Sequence, residues 1–146
     1  MPGSMSEVSK KSSAISEIIR DLQGHELDAR YLGYFRCFNR RLYYEAHDVL
    51  EELWLPQRAG PNGAFYKGLI QLAGAFVHLQ KNRLRPAAAL LKLAQANLER
   101  YPLLHERLDV GEVRNWIREW IRWLEDKRFE TNPLTELTPP LLQPLS

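Results

Sequence analysis

The amino-acid sequence predicts an all-α protein, a single domain built as a compact bundle of about five helices. Apolar residues recur at helical spacing along most of the 146 residues, and no stretch shows the sustained alternation typical of a half-buried strand. Gly24, Pro56, the Gly-Pro-Asn-Gly turn at residues 60–63 and Pro102 fall between periodic segments, where they end one helix before the next begins. A chain of this length buries one core and is too short to expect two.

The two ends of the chain are predicted to lie outside the helical domain, which we place at residues 14–128. Residues 1–13 are rich in Ser and Lys and have hardly any large apolar side chain, so they are expected to form a disordered tail. Residues 129–146 form a Pro-rich tail, in which proline excludes a helix and favours an extended, mobile segment. Its prolines are Pro133, Pro139, Pro140 and Pro144.

The domain is predicted to open with a short amphipathic helix that ends near Gly24 and either docks on the body or frays. Its apolar positions are Ile15, Ile18, Ile19 and Leu22. The first of the five main helices then runs to about Asn39, a residue suited both to ending this helix and to capping the next. Its apolar stripe consists of Leu27, Tyr31, Tyr34, Phe35 and Phe38.

The second main helix is predicted from about Leu42 to Trp54, because Pro56 follows it. A Gly-Pro-Asn-Gly turn at residues 60–63 leads into a third helix that runs to about Lys81. The third helix is apolar around most of its circumference, as expected of a central helix. A seam of small residues on its remaining side allows another helix to approach closely. The seam consists of Ala64, Gly68 and Ala75.

Two further helices complete the predicted bundle. The fourth begins at Pro86, a residue that suits the first helical position, and stops before Pro102. Asp109 and Glu112 have the spacing of a capping box and open the fifth helix, which runs to about Leu124.

The second main helix carries the principal candidate site. With about 100° per residue, His47, Glu51 and Tyr44 fall beside Trp54 at the border of the apolar arc. His47 and Glu51 stand one turn apart, close enough for the carboxylate to accept the imidazole N–H and to fix its tautomer. Gln71 sits in the small-residue seam of the third helix, and the sharper hypothesis places it across a shared pocket from His47 and Glu51.

Three roles are compatible with this arrangement. His47 could transfer a proton, since its unperturbed pKa of about 6.5 lies near working pH, while Glu51 orients it and Trp54 walls the pocket. His47 and Glu51 could both bind a metal, although no other histidine forms an HxxxH or ExxH pair. The third role is structural, because a histidine bonded to its neighbour satisfies a polar group at the edge of the core. For Gln71, the structural role is a hydrogen bond between helices.

Two strings of this chain resemble the family catalogued as domain of unknown function 309, FNRRLYYEAHDVLEELW and GLIQLAGAFVHL. The matching residues are Phe38, Asn39, Glu45, Ala46, His47, Glu51, Trp54, Gly68, Leu69, Ile70 and Gln71. The resemblance covers about residues 28–124 and departs at Asp48, where the family has Glu. It implies a compact helical fold but no activity. It also adds Glu45 to the candidate substrate-binding residues, which are Trp54, Gln71, Tyr44 and Glu45.

The amino-acid composition limits which binding partners and which cellular compartment we expect for this protein. Lys and Arg number 20 against 18 Asp and Glu, a balance that gives no overall field for nucleic acid or membranes. The lone Cys37 excludes an intramolecular disulfide and a cysteine-based zinc cluster, in keeping with a reducing compartment. The most apolar run, Leu69–Leu79, is too short to span a bilayer. We therefore expect a cytoplasmic protein that does not enter a membrane.

Nucleic acid is a disfavoured partner. A row of arginines on the fifth helix lies beside its tryptophans, a combination that suits single strands. The arginines are Arg114, Arg118 and Arg122, and the tryptophans are Trp116, Trp120 and Trp123. However, the tryptophans fall on the apolar face, so we expect them in the core with the arginine stems beside them.

The sequence leaves three functions open. The first is a small-ligand or proton-transfer pocket around His47, Glu51 and Gln71, with no cofactor identified. The second is a scaffold or homodimer in which the residues that match the family are structural. The third is a metal-binding bundle with His47 and Glu51 as ligands. Joint exposure of several members of a group of four aromatic residues would favour the second function. These are Tyr31, Tyr43, Tyr44 and Trp123.

Overall fold

A computed structural model describes residues 12–145, which contain six α-helices, two three-residue 3-10 helices (Arg20–Leu22 and Leu55–Gln57) and one short hairpin. The α-helices are α1 (12–19), α2 (Ala29–Asn39), α3 (Tyr43–Trp54), α4 (Gly63–Gln80), α5 (Leu84–Leu98) and α6 (Val110–Asp126). The antiparallel hairpin pairs β1 (Leu104–His105) with β2 (Leu108–Asp109). The predicted all-α class is confirmed. Of the predicted N-terminal tail, residues 1–11 lie outside the described residues.

Helix α4 is central, as its nearly continuous apolar circumference predicted. It packs against α3 and α5, while α2 packs against α3 and α6 against α5. Phe76 of α4 joins these layers, because its ring contacts aromatic rings from α2, α3 and α6. Those rings belong to Phe38, Tyr43, Trp116 and Trp120. Among the described helices, none combines the length and the apolar character needed to cross a membrane.

Helix α1 docks on the body, which decides between the two alternatives left open by the sequence. Its Ile15 and Ile19 are buried in the core. A Cβ atom at Gly33 of α2 would lie 2.8 Å from a methyl carbon of Ile19, so α1 packs directly on the α2 backbone. The absence of a side chain at Gly33 is therefore what permits this contact.

The observed starts of α2, α5 and α6, and the short hairpin, can be compared with the elements predicted from the sequence. The carboxylate of Asp28 caps α2 by accepting from the backbone N–H of Arg30 at 2.8 Å. Asp109 caps α6 by accepting from the N–H of Glu112 at 3.0 Å, as the capping-box spacing predicted. The start predicted at Pro86 was wrong by two residues, since α5 begins at Leu84 and the proline sits within its first turn, where no N–H is required. The two-residue strands of the hairpin are too short to show an alternating pattern.

Asn39 has a different role from the predicted helix cap. It ends α2, but the cap position of α3 is Leu42, which makes no side-chain cap. The amide of Asn39 instead binds Leu142 of the Pro-rich tail, donating to its carbonyl and accepting from its N–H, both at 2.7 Å. The Leu142 side chain is only 2% exposed. The tail forms no helix, as predicted, but it is held at Leu142, which the prediction of an extended, mobile tail did not include.

Asn39→Ala is expected to release the tail, because the backbone of Leu142 would lose both of its partners on α2. Amide hydrogen exchange at Leu142 should become at least about tenfold faster, since local opening would need less free energy. Asn115→Ala on α6 is the control, because this exposed amide accepts only from Arg118 of the same helix. An unchanged exchange rate at Leu142 would contradict a clamp by Asn39.

Cys37 is a buried thiol in α2. Burial, followed by the negative charge of Glu45, raises its pKa from 9.0 to about 11. The folded chain thus binds this proton more tightly than the unfolded chain, so this thiol should make the free energy of unfolding fall as pH rises from 9.0 to about 11. Cys37→Ala should reduce that fall in denaturant titrations, and a fall of the same size in the variant would contradict the assignment.

Candidate functional site

Helix α3 carries four of the predicted site residues, Tyr44, His47, Glu51 and Trp54, along one side. Its core face consists of Tyr43, Ala46, Val49, Leu50 and Leu53. His47, Glu51 and Trp54 are half-buried beside that face, as the helical spacing predicted. Tyr44 is 60% exposed, and Glu45 is also exposed.

A carboxylate faces the imidazole of His47, and it belongs to Asp48. The Nδ1 atom of His47 lies 3.1 Å from Oδ1 of Asp48. The expected partner was Glu51, which lies one turn further along α3. If Nδ1 carries the proton toward Asp48, then Nε2 is the basic nitrogen of the ring. The ring of Tyr44 lies beside the imidazole, with 6.4 Å between ring centroids.

Gln71 joins α4 to α5. Its Oε1 accepts a hydrogen bond from Nδ2 of Asn97 at 2.7 Å, so the helix-to-helix bond expected of a structural glutamine is present. The small-residue seam beside it is also packed by α5. A Cβ atom at Gly68 would come within 3.2 Å of Asn97 and of Leu98, as predicted for a close helix contact.

Trp54 lines a cleft of about 500 Å³ between the α3–α4 turn, α4 and the end of α5. We call this the Trp54 cleft. Its main polar and aromatic residues are Trp54, Arg58, Lys67, Asn97, Arg100 and Tyr101. The Nζ atom of Lys67 lies 4.6 Å from the centroid of the Trp54 ring, in a cation–π contact. The Tyr101 hydroxyl donates to the carbonyl of Pro61 at 2.8 Å, which ties the end of α5 to the turn.

Two of the predicted site residues, Trp54 and Gln71, are thus connected to the Trp54 cleft. Trp54 lines it directly, and Gln71 is bonded to Asn97, which also lines it. His47 and Glu51 are not among the lining residues of this cleft. Lys67 and Asn97, which also line the cleft, were not predicted from the sequence. The available signal for Lys67 was its spacing of one turn from Gln71, whereas Asn97 comes from a helix with no signature motif.

Two of the four aromatic residues considered for an interaction surface are exposed and two are buried. Tyr31 and Tyr43 are buried, while Tyr44 and Trp123 are exposed on α3 and α6 respectively. A scaffold or homo-oligomer stays a prediction. Within residues 12–145, no three His, Cys, Asp or Glu side chains group closely enough to hold a metal ion.

Residues 31–90 match the model of a family described as Domain of unknown function (DUF309). The match runs from the first turn of α2 through α3 and α4 into α5, so it includes His47, Trp54 and Gln71 but neither Asn97 nor Arg100. Neither the curated proteins nor the solved structures contain a match to this chain.

Proposed function

We propose that the protein binds a small ligand in the Trp54 cleft. The proposal comes from the geometry of the site, because the description of the family that residues 31–90 match specifies no activity. The observation that carries this function is the meeting of Trp54 with Asn97, the partner of Gln71, at one opening. Its volume of about 500 Å³ is in the range of small-molecule sites. An aromatic wall and a few converging polar groups are also typical of such sites.

Proton transfer at His47 is the second candidate, favoured by the 3.1 Å contact between its Nδ1 and Asp48. His47 lies seven residues before Trp54 on the same side of α3, which is about 10 Å along the helix axis. A ligand anchored in the cleft would extend past Glu51 to reach Nε2, the nitrogen that would take or give the proton. Tyr44, whose ring centroid lies 6.4 Å from that of His47, would border the outer end of such a ligand.

Trp54→Leu is expected to remove a bound small molecule from the protein, because it deletes the aromatic wall and the cation–π contact with Lys67. Wild-type protein, purified without a His tag, would be denatured and the released small molecules identified by mass spectrometry. Trp123→Leu is the matched control, since this tryptophan is exposed on α6. A metabolite screen by thermal shift would accompany the measurement.

Two outcomes would overturn the proposed cleft function. One is a retained molecule whose amount is the same in wild type, Trp54→Leu and Trp123→Leu. The other outcome combines two findings: the wild-type protein retains no molecule, and no metabolite in the screen stabilises the wild type more than the Trp54→Leu variant. Once a ligand is known, His47→Gln should leave its binding within about twofold and abolish its conversion, if proton transfer occurs there. The cytoplasmic location stays a prediction.

A further inference from the structure

We propose that the ligand of the Trp54 cleft carries a phosphoryl group, and this inference rests on the proposed function. The cleft gathers cationic side chains around one opening, while the chain as a whole has a net charge of only +2. The basic character is therefore local.

Three cations line the cleft without a compensating carboxylate. They are Arg58, Lys67 and Arg100, and no Asp or Glu is among the lining residues. In the part of the chain that the structure describes, the ion pairs involve other cations, and none of these three is paired with a carboxylate. Mutually repelling cations on a concave surface create a positive potential, which a bound anion neutralises.

The first turn of α4 adds backbone donors at the same place. Asn62 occupies the cap position but makes no cap, because its side chain contacts His105 at 2.7 Å and Glu106 at 3.3 Å. Among residues 12–145, the N–H groups of Ala64 and Phe65 have no hydrogen-bond acceptor, and Ala64 lines the cleft. The positive end of the dipole of this 18-residue helix therefore reinforces the charge of the side chains.

The arrangement of the donors favours a phosphoryl group over a carboxylate. Arg58 comes from the α3–α4 turn, Lys67 from the second turn of α4, and Arg100 from the turn after α5. A tetrahedral group with three acceptor oxygens can receive donors from several directions, whereas one planar arginine fork already satisfies a carboxylate. A nucleic-acid strand would instead require cations spaced along its backbone.

The inference is tested by NMR titration of the ¹⁵N-labelled full-length chain. One arm uses inorganic phosphate, the second uses glucose 6-phosphate, and sodium chloride at matched ionic strength is the reference. We expect saturable shifts of the Ala64 and Phe65 amides in at least one phosphate arm. If only glucose 6-phosphate saturates, the site is built for a phosphorylated metabolite, and if both saturate equally, the phosphoryl group alone is recognised.

Paired variants test the assignment to two of the three cations, Arg58 and Arg100. Arg58→Gln with Arg100→Gln should weaken the binding of the saturating probe by at least about tenfold, because two charge-assisted contacts are lost. Both side chains are exposed, so the fold should persist, and thermal unfolding would check this. Arg118→Gln with Arg122→Gln is the control pair, since these exposed arginines lie on α6.

Three results would overturn the phosphoryl assignment. They are the absence of saturable shifts with both probes, equal weakening by the control pair, and tighter binding of a labelled single-stranded oligonucleotide than of either probe. If Trp54→Leu nevertheless removes a bound small molecule, the proposed function stands and only the phosphoryl assignment fails. If Trp54→Leu does not change the retained small molecule, and Arg58→Gln with Arg100→Gln does not change the binding of the phosphate probes, both the proposed function and the phosphoryl assignment fail.

Discussion

Phe76→Ala is expected to lower the free energy of unfolding by about 3–5 kcal/mol, the usual cost of deleting a buried phenylalanine ring. Phe76 is fully buried, and its ring centroid lies within 6.0 Å of rings on α2, α3 and α6. The cavity left by alanine would therefore border three helices at once, and none of them can fill it without disturbing the others. Urea denaturation followed by far-UV circular dichroism measures the loss.

Leu93→Ala is the control for this measurement. Leu93 lies on α5, and its side chain is about half exposed, so its removal should change stability by less than about 0.5–1 kcal/mol. Circular dichroism is preferred to fluorescence, because Trp116 and Trp120 contact Phe76 and their emission would change for local reasons. A Phe76→Ala variant as stable as Leu93→Ala would contradict the central place of this ring in the core.

Gly63→Ala is expected to destabilise the protein by about 1–3 kcal/mol or more, because the added methyl group collides with backbone. A Cβ atom at Gly63 would lie 2.1 Å from the carbonyl oxygen of Arg58, so the turn between α3 and α4 would have to move. Arg58 and the first turn of α4 both belong to the Trp54 cleft. We therefore also expect weaker binding of the phosphate probes, measured by the same NMR titration.

Gly74→Ala is the matched control for Gly63→Ala. Gly74 lies inside α4, and a Cβ atom there would meet only the end of the Leu90 side chain at 3.2 Å. Alanine also favours the helix over glycine, so Gly74→Ala should be close to neutral or slightly stabilising. Equal stability of the two variants would show that the turn at Gly63 yields more easily than its geometry indicates.

The amino-acid sequence by itself determined the helices and much of the core. Helical periodicity is a local property, so it located the core face of α3 and the central position of α4 without knowledge of their neighbours. The capping box at Asp109 and the close-packed seam at Gly68 are local in the same sense. A glycine on a helix face indicates that something approaches closely, whatever that neighbour is.

Only the tertiary structure decided which residues meet. The bond between Gln71 and Asn97 spans 26 positions, and the clamp of Asn39 on Leu142 spans 103. The Trp54 cleft likewise combines α3, α4 and the end of α5. A helical wheel gives the direction of a side chain, but contacts between helices depend on where the helices cross and how far they slide along each other. For this reason the sequence indicated Trp54 and Gln71, while the fold supplied the cations around them.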